Sequence, residues 1–324
     1  MTSTPTKANY QTAADVFDAW RDDLLAGTPP TRYPIGDGEL ARVELGPGLV
    51  VLFGGAPGAG KTAFTMQAVT NALRLSPSLR CLVCNVEMPP SVLLDRQLAR
   101  LAGIPAELIR RRRLDASHDA RLGAGLATLE SFADRLAFVR PPFTLENIAG
   151  AADAFDAGLI LLDYAQRIQP PGDHGDRRNT VNALMDYLRQ FADAGVAVLV
   201  VAAVGRTRDA KGRSSYDADG LNLASFRESS ELEFGADDAF ILAPDPKDAE
   251  LVTLKHLKSR HGEQRDIPLS FDKARQAFTP VDSTAGTPRP ADGKLTAALR
   301  SLWDQAGTDD DEPDEGRYGE EWTG

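Results

Sequence analysis

A chain of 324 residues with 42% hydrophobic and 26% charged residues can bury a sizeable core, in one large or two smaller domains. Its net charge of −11 argues against a nucleic-acid coat, although −7 of it lies between residues 309 and 321, where eight acids face one arginine. With no basic-then-apolar leader and no apolar run near the ~20 residues of a membrane span, the expected location is cytoplasmic, with no membrane partner.

Residues 1–10 are polar and expected to be disordered. Residues 12–25 predict a helix: Thr12 and Asp15 form a capping pair, and Val16, Phe17, Trp20, Leu24 and Leu25 make one apolar stripe. Gly27-Thr28-Pro29-Pro30 ends it. Such a helix either packs on its own domain or reaches a neighbouring subunit, and the pattern fits both.

Residues 49–53 read as a buried strand running into Gly55-Ala56-Pro57-Gly58-Ala59-Gly60-Lys61-Thr62, a full match to the P-loop spacing G-x-x-x-x-G-K-[ST]. Glycines let successive N–H groups point inward at phosphate oxygens. The following helix, with Ala63, Met66, Val69 and Leu73 on its apolar side, adds its positive N-terminal end. Lys61 is placed to reach the β- and γ-phosphates, and the Thr62 hydroxyl to ligate Mg²⁺.

A second buried strand, residues 80–86, carries Cys81 and Cys84 and ends at Glu87. The C-x-x-C spacing lacks a second pair of ligands, so strand packing is preferred over metal or redox chemistry. The histidines (His118, His174, His256, His261) show no metal-ligand spacing. A helix from Ser91 follows. Residues 106–136 read as one long amphipathic helix, with Arg110 to Arg113 as a solvated basic run. Then come a short strand at 136–140 and a helix at 144–157.

Residues 159–163 form a third buried strand with Asp163 at its tip, and 181–194 a helix. Residues 196–204 make a fourth strand, 226–234 a helix, and 239–242 a strand. Residues 251–258 and 267–271 predict a hairpin around Gly262, expected to be antiparallel. Beyond Pro280 a short helix, 294–303, precedes an acidic tail expected to be disordered. The expected division is therefore 1–30 tail and linker-type helix, 31–280 ATPase domain, 281–324 short helix and tail.

Apolar strands alternating with helices imply a mainly parallel sheet covered on both faces. Ligands in such sheets sit at the C-terminal ends of strands. Lys61, Thr62, Glu87 and Asp163 all fall there. Asp163 is the candidate Mg²⁺ acid, and Glu87 the candidate general base on an attacking water.

In order, GGAPGAGKT, NVEM, LILLDYAQ, FRESSELEFGADD and LKSRHG resemble the ATPase domain of DnaB-type replicative helicases, over about residues 32–278. Asp163-Tyr164-x-Gln166 and Arg227-Glu228-Ser229 are the more specific parts. The resemblance implies an α/β, RecA-like P-loop NTPase core with a C-terminal antiparallel hairpin, working as a ring, expected to be a hexamer. It implies ATP and Mg²⁺ bound between subunits, with Lys258 and Arg260 delivered from the neighbour. It implies that single-stranded DNA meets loops after the third and fourth strands, carrying Arg177, Arg178, Arg206, Arg208, Lys211 and Arg213. A basic loop of this kind also suits any exposed surface.

Two departures stand out. The family's Ser-Gln after the fourth strand is Ala202-Ala203 here, which leaves Arg206 to take part of the phosphate-sensing role. Only about thirty residues precede the core, so the primase-interacting domain of bacterial replicative helicases has no counterpart. The expectation is a core of phage, plasmid or accessory type, with replication or plasmid and phage partner proteins. The leading expected function is an ATP-driven helicase or translocase on single-stranded DNA. The alternative is a RecA-like or clock-type ATPase acting as a DNA-associated assembly switch without unwinding. A small-molecule P-loop kinase is disfavoured, because Glu87 supplies a water base.

Overall fold

The computed structural model describes residues 10–205, 207–208, 214–215, 223–226 and 235–281. Its strands run in chain order as β1 (Val50–Gly55), β2 (Cys81–Asn85), β3 (Leu136–Phe138), β4 (Leu159–Asp163) and β5 (Ala197–Val201). A two-residue pair follows, β6 (Thr207–Arg208) and β7 (Ser214–Ser215). Next come β8 (Asp238–Pro244), β9 (Leu251–Ser259), β10 (Ile267–Asp272) and β11 (Ala277–Pro280). Nine of them form one sheet in the order β11-β10-β9-β8-β1-β5-β4-β2-β3. From β8 to β3 every pairing is parallel. The β8–β9, β9–β10 and β10–β11 pairings are antiparallel.

The central strands are apolar at every position because both faces are covered. Val51 and Phe53 of β1 face the helix α2 (Lys61–Leu75), while Val50 and Leu52 face α6 (Leu145–Phe155) and α7 (Arg177–Asp193). The helices α3 (Pro90–Ala102), α4 (Ala106–Arg110) and α5 (Asp119–Glu130) make a smaller cluster around Leu98, Ile104 and Ile109. Phe53 stacks on Phe240 at 5.1 Å and meets Phe64 at 5.3 Å. Truncating such a buried ring costs about 3–5 kcal/mol.

The helix α1 (Ala13–Ala26) stands apart. Its capping box is present: Asp15 N–H donates to Thr12 Oγ1, and Thr12 N–H to Asp15 Oδ2. Gly27 closes the other end at φ 65°. Yet none of its residues is buried, and Trp20 and Leu24 are 58% and 62% exposed.

Three expectations are corrected. The long helix at 106–136 is instead α4, a turn, α5 and a short 3₁₀ turn before β3. Asp115 Oδ1 accepts from both the backbone N–H and the hydroxyl of Ser117, and this local bonding competes with the helical ladder. The C-terminal hairpin is three strands, not two. Its third strand is held by Gln67 of α2, whose side chain donates to Phe278 O and accepts from Phe278 N–H at 2.7 and 2.9 Å. Finally, α7 begins a turn earlier than expected, capped by the Asp176 carboxylate. Of the expected helix at 226–234 only Phe226 is described, bridging Val204. The expected helix at 294–303 and the acidic tail lie outside the described residues.

Candidate nucleotide-binding and catalytic site

The chain turns sharply as it leaves β1. Gly60 sits at φ 87°, and a Cβ there would fall 2.8 Å from Phe278 and 2.9 Å from Phe271. Only glycine provides both the left-handed conformation and the space. The aromatic pair Phe271–Phe278, stacked at 4.0 Å, therefore packs against the end of the loop. The loop residues Pro57, Gly58, Gly60, Lys61 and Thr62 then line a cleft of about 610 Å³.

Glu87 and Asp163 line the same cleft. Thr62 Oγ1 donates to Asp163 Oδ2 at 2.6 Å. Lys61 Nζ donates to the carbonyls of Gly55 and Ala56 at 2.8 and 3.1 Å, folded back over the loop. Burial pushes the Lys61 ammonium below its ordinary range, against the pull of Asp163 and Glu87. Burial also raises the Asp163 carboxyl. Thr62's hydrogen bond opposes that shift, Glu87 adds to it, and Lys61 and Arg96 work against it. This is a site with two acids and two bases crowded where a charged ligand would relieve them.

The donor set fits Mg²⁺. Thr62 Oγ1 and the Asp163 carboxylate are hard oxygens, and Mg²⁺ takes one or two carboxylates or hydroxyls and completes its shell with water and phosphate. Among the described residues no group of three or more His, Cys, Asp or Glu gathers into a separate metal centre. Cys81 and Cys84 are free and buried in β2, where burial raises both thiols, that of Cys84 to about 12. They are packing residues, as the strand reading expects.

Several lining residues escaped the sequence reading. Arg96 enters from α3, and Phe271, Lys273 and Gln276 come from the end of β10 and the β10–β11 turn. The alternation Phe271-x₆-Phe278 around a polar turn was the signal for that last strand. Ala203 also lines the cleft, its N–H donating to Gln166 Oε1 at 3.2 Å.

Lys258 and Arg260 are not in this cleft. Gly55 pairs with Leu242, whereas Asp238, at the other end of β8, pairs with Ser259. Arg260 thus lies at the N-terminal edge of the parallel strands, about 16 Å of strand away from its own P-loop. There Arg260 Nη1 bonds Asp237 Oδ1 at 2.8 Å. Asp237, 2% exposed in its side chain, also takes Arg189 at 2.5 Å and the N–H of Val50 at 2.8 Å. Lys258 Nζ donates to Ala236 O at 2.6 Å. Burial and the neighbouring Arg260 hold its ammonium below the usual range.

Of the expected DNA contacts, Arg178 is exposed near the start of α7. Arg177 and Arg208 are placed only in their backbone, the first opening α7 and the second in β6. Arg206, Lys211 and Arg213 lie outside the described residues.

A Gly-rich loop ending a central parallel strand, with acids on the neighbouring strand ends, defines the P-loop nucleotide-binding class. Its RecA-like fold matches a solved ATPase domain, with TM-score 0.72 at 20% identity, covering 85% of this chain and all of that one. It also matches a DnaB-like replicative helicase solved with its interactions with primase, with TM-score 0.68 at 19% identity, covering 86% of this chain and 68% of that one. The family model for the DnaB-like helicase C terminal domain matches residues 44–280, and the chain belongs to that family. The replicative DNA helicase DnaC of Bacillus subtilis (strain 168) is 24% identical over 274 residues, covering 80% of this chain and 59% of that protein. The chain thus spans about three-fifths of the length of that curated relative. No helix among the described residues is long and apolar enough to cross a membrane.

Proposed function

We propose that this chain hydrolyses ATP with Mg²⁺ and uses the energy to move along single-stranded DNA as a ring, expected to be a hexamer, in the manner of a replicative helicase motor. The observation that best supports this is a division between two edges. Lys61, Thr62, Glu87 and Asp163 share one cleft, while Lys258 and Arg260 lie at the opposite edge, beside Ala236 and Asp237 and too far away to serve it. In this reading they act on a nucleotide held by another copy.

In this reading the loop Gly55, Ala56, Pro57, Gly58, Ala59 and Gly60 cradles the phosphates through its backbone N–H groups, which every member but Pro57 supplies. Lys61 leaves its carbonyl partners for the β- and γ-phosphates. Thr62 and Asp163 hold Mg²⁺, which when bound neutralises charge on those phosphates. Glu87 takes the proton of the attacking water. Lys258 and Arg260 of the neighbour stabilise the charge that spreads over the γ-phosphoryl oxygens. Helix α1, with its stripe uncovered, docks on the adjacent subunit, so residues 1–30 serve assembly and 31–280 catalysis. Arg177, Arg178, Arg206, Arg208, Lys211 and Arg213 meet the phosphate backbone of the strand. Replication, plasmid or phage proteins are the expected partners, and the cytoplasm the expected location.

Turnover measured with and without single-stranded DNA, beside strand displacement on a forked duplex, tests this reading. The expected result is DNA-stimulated hydrolysis with displacement, both lost in Lys61→Ala. Turnover that ignores DNA, or that survives Lys61→Ala, would overturn it.

A further inference from the structure

Parallel strands β2 and β4 end side by side, with Asn85 and Asp163 as register partners. The Asn85 side chain spans two things at once. Its Nδ2 donates to Asp163 Oδ2 at 2.8 Å. Its Oδ1 accepts from the backbone N–H of Glu87 at 3.0 Å and of Met88 at 2.8 Å. Beyond this point β2 leaves the sheet: Val86 N–H still bonds Asp163 O at 3.0 Å, and Glu87 stands exposed in the cleft.

The amide can point only one way. Turned over, it would set its oxygen against a carboxylate and its NH₂ against two N–H donors. A serine has one hydroxyl and cannot span both partners. An aspartate keeps the acceptor, loses the donor, and adds a charge beside Asp163. An amide on a one-carbon stem is the one short side chain that both donates and accepts across this gap.

We infer that Asn85 is a positioning residue that ties the peptide carrying Glu87 to the carboxyl of Asp163, fixing the general base relative to the cation-holding acid. This rests on the roles given to Glu87 and Asp163 above. It also makes the two acids one unit: a shift of Asp163 on nucleotide binding is passed through one side chain to the backbone of Glu87. Misplacing a reacting group by about 1 Å can cost on the order of 100-fold in rate.

The test compares Asn85→Ala, Asn85→Asp, Glu87→Gln and the Asn85→Ala/Glu87→Gln pair in the full chain. Turnover against ATP concentration and pH is read, along with equilibrium binding of a fluorescent ATP analogue and thermal melting. Asn85→Ala is expected to lower kcat by about 10- to 100-fold with KM and analogue binding within about threefold, because nothing that grips the phosphates has moved. In the Glu87→Gln background the same change should have almost no further effect, since its route is already closed. Asn85→Asp keeps the acceptor but loses the donor to Asp163, and should lower kcat as Asn85→Ala does. Full kcat in Asn85→Ala, or a loss that multiplies in the double variant, overturns the inference and leaves the hydrolysis reading standing. Full kcat in Glu87→Gln overturns the base assignment beneath it.

Discussion

The two edges of the central sheet are built on opposite terms. At the C-terminal edge, Lys61 gives its donors to two carbonyls, and Thr62 and Asn85 share one oxygen of a buried carboxyl whose ionisation burial opposes. At the other edge, Asp237 is saturated by Arg189, Arg260 and the N–H of Val50, and almost nothing of it reaches water. One edge opens into the cleft; at the other, the charges pair around a carboxylate that is only 2% exposed. In the proposed reading, function and stability are carried by different ends of the same strands, and substitutions at the two should fail differently.

The largest effect should come from the cations. Arg260→Ala and Lys61→Ala, each alone, are expected to lower turnover on the order of 1000-fold. Mixed in equal amounts, the two dead variants should regain part of the activity, because some junctions pair an intact cradle with an intact Arg260. A turnover assay of the mixture that shows no recovery would abolish the contrast between edges. Next in size, Asp237→Ala should cost about 3–5 kcal/mol in denaturant unfolding, because it removes a buried carboxylate shared by Arg189, Arg260 and the N–H of Val50. Nucleotide binding, measured below the unfolding transition, should change little. A smaller loss is expected at the end of the loop: Gly60→Ala introduces both a strained φ and a contact with Phe271 and Phe278, lowering stability by about 1–3 kcal/mol and weakening analogue binding.

The smallest effect has the opposite sign. Asp163 has a folded-state pKa above its unfolded one, so its ionisation works against folding. That cost is absent at acid pH, below the unfolded value, and is fully present above the folded one. Asp163→Asn should therefore raise the melting temperature of the nucleotide-free protein at neutral pH while abolishing turnover. Melting curves across pH should show the gain shrinking as the solution is acidified. A stability loss at neutral pH would mean that the C-terminal edge, too, is built for folding.

Much of this was legible in the chain. The P-loop, Glu87 and Asp163 could be placed because each follows a run of apolar residues that only a doubly covered strand explains. The break between α4 and α5 was hidden, because the left-handed turn at Arg112 (φ 55°) and the Asp115–Ser117 bonds before α5 leave no mark in hydrophobic spacing. Strand β11 was hidden for another reason: it is four residues long and owes its place to Gln67, far away in sequence. Arg96 and Lys273 reach the cleft from elements whose facing is set only by tertiary packing. Asn85 looked like an ordinary strand end, because its work is done by one amide whose partners lie across two strands.

The rings packed against Gly60 have a consequence for the growing polypeptide. Residues 55–62 leave the ribosome before the side chains that pack against their final bend, Phe271 and Phe278, which are made more than two hundred residues later. A nascent chain therefore carries the phosphate-binding motif long before it has a phosphate-binding shape. The bend at Gly60 therefore meets its aromatic packing partners only once the strand that carries Phe278 has been made.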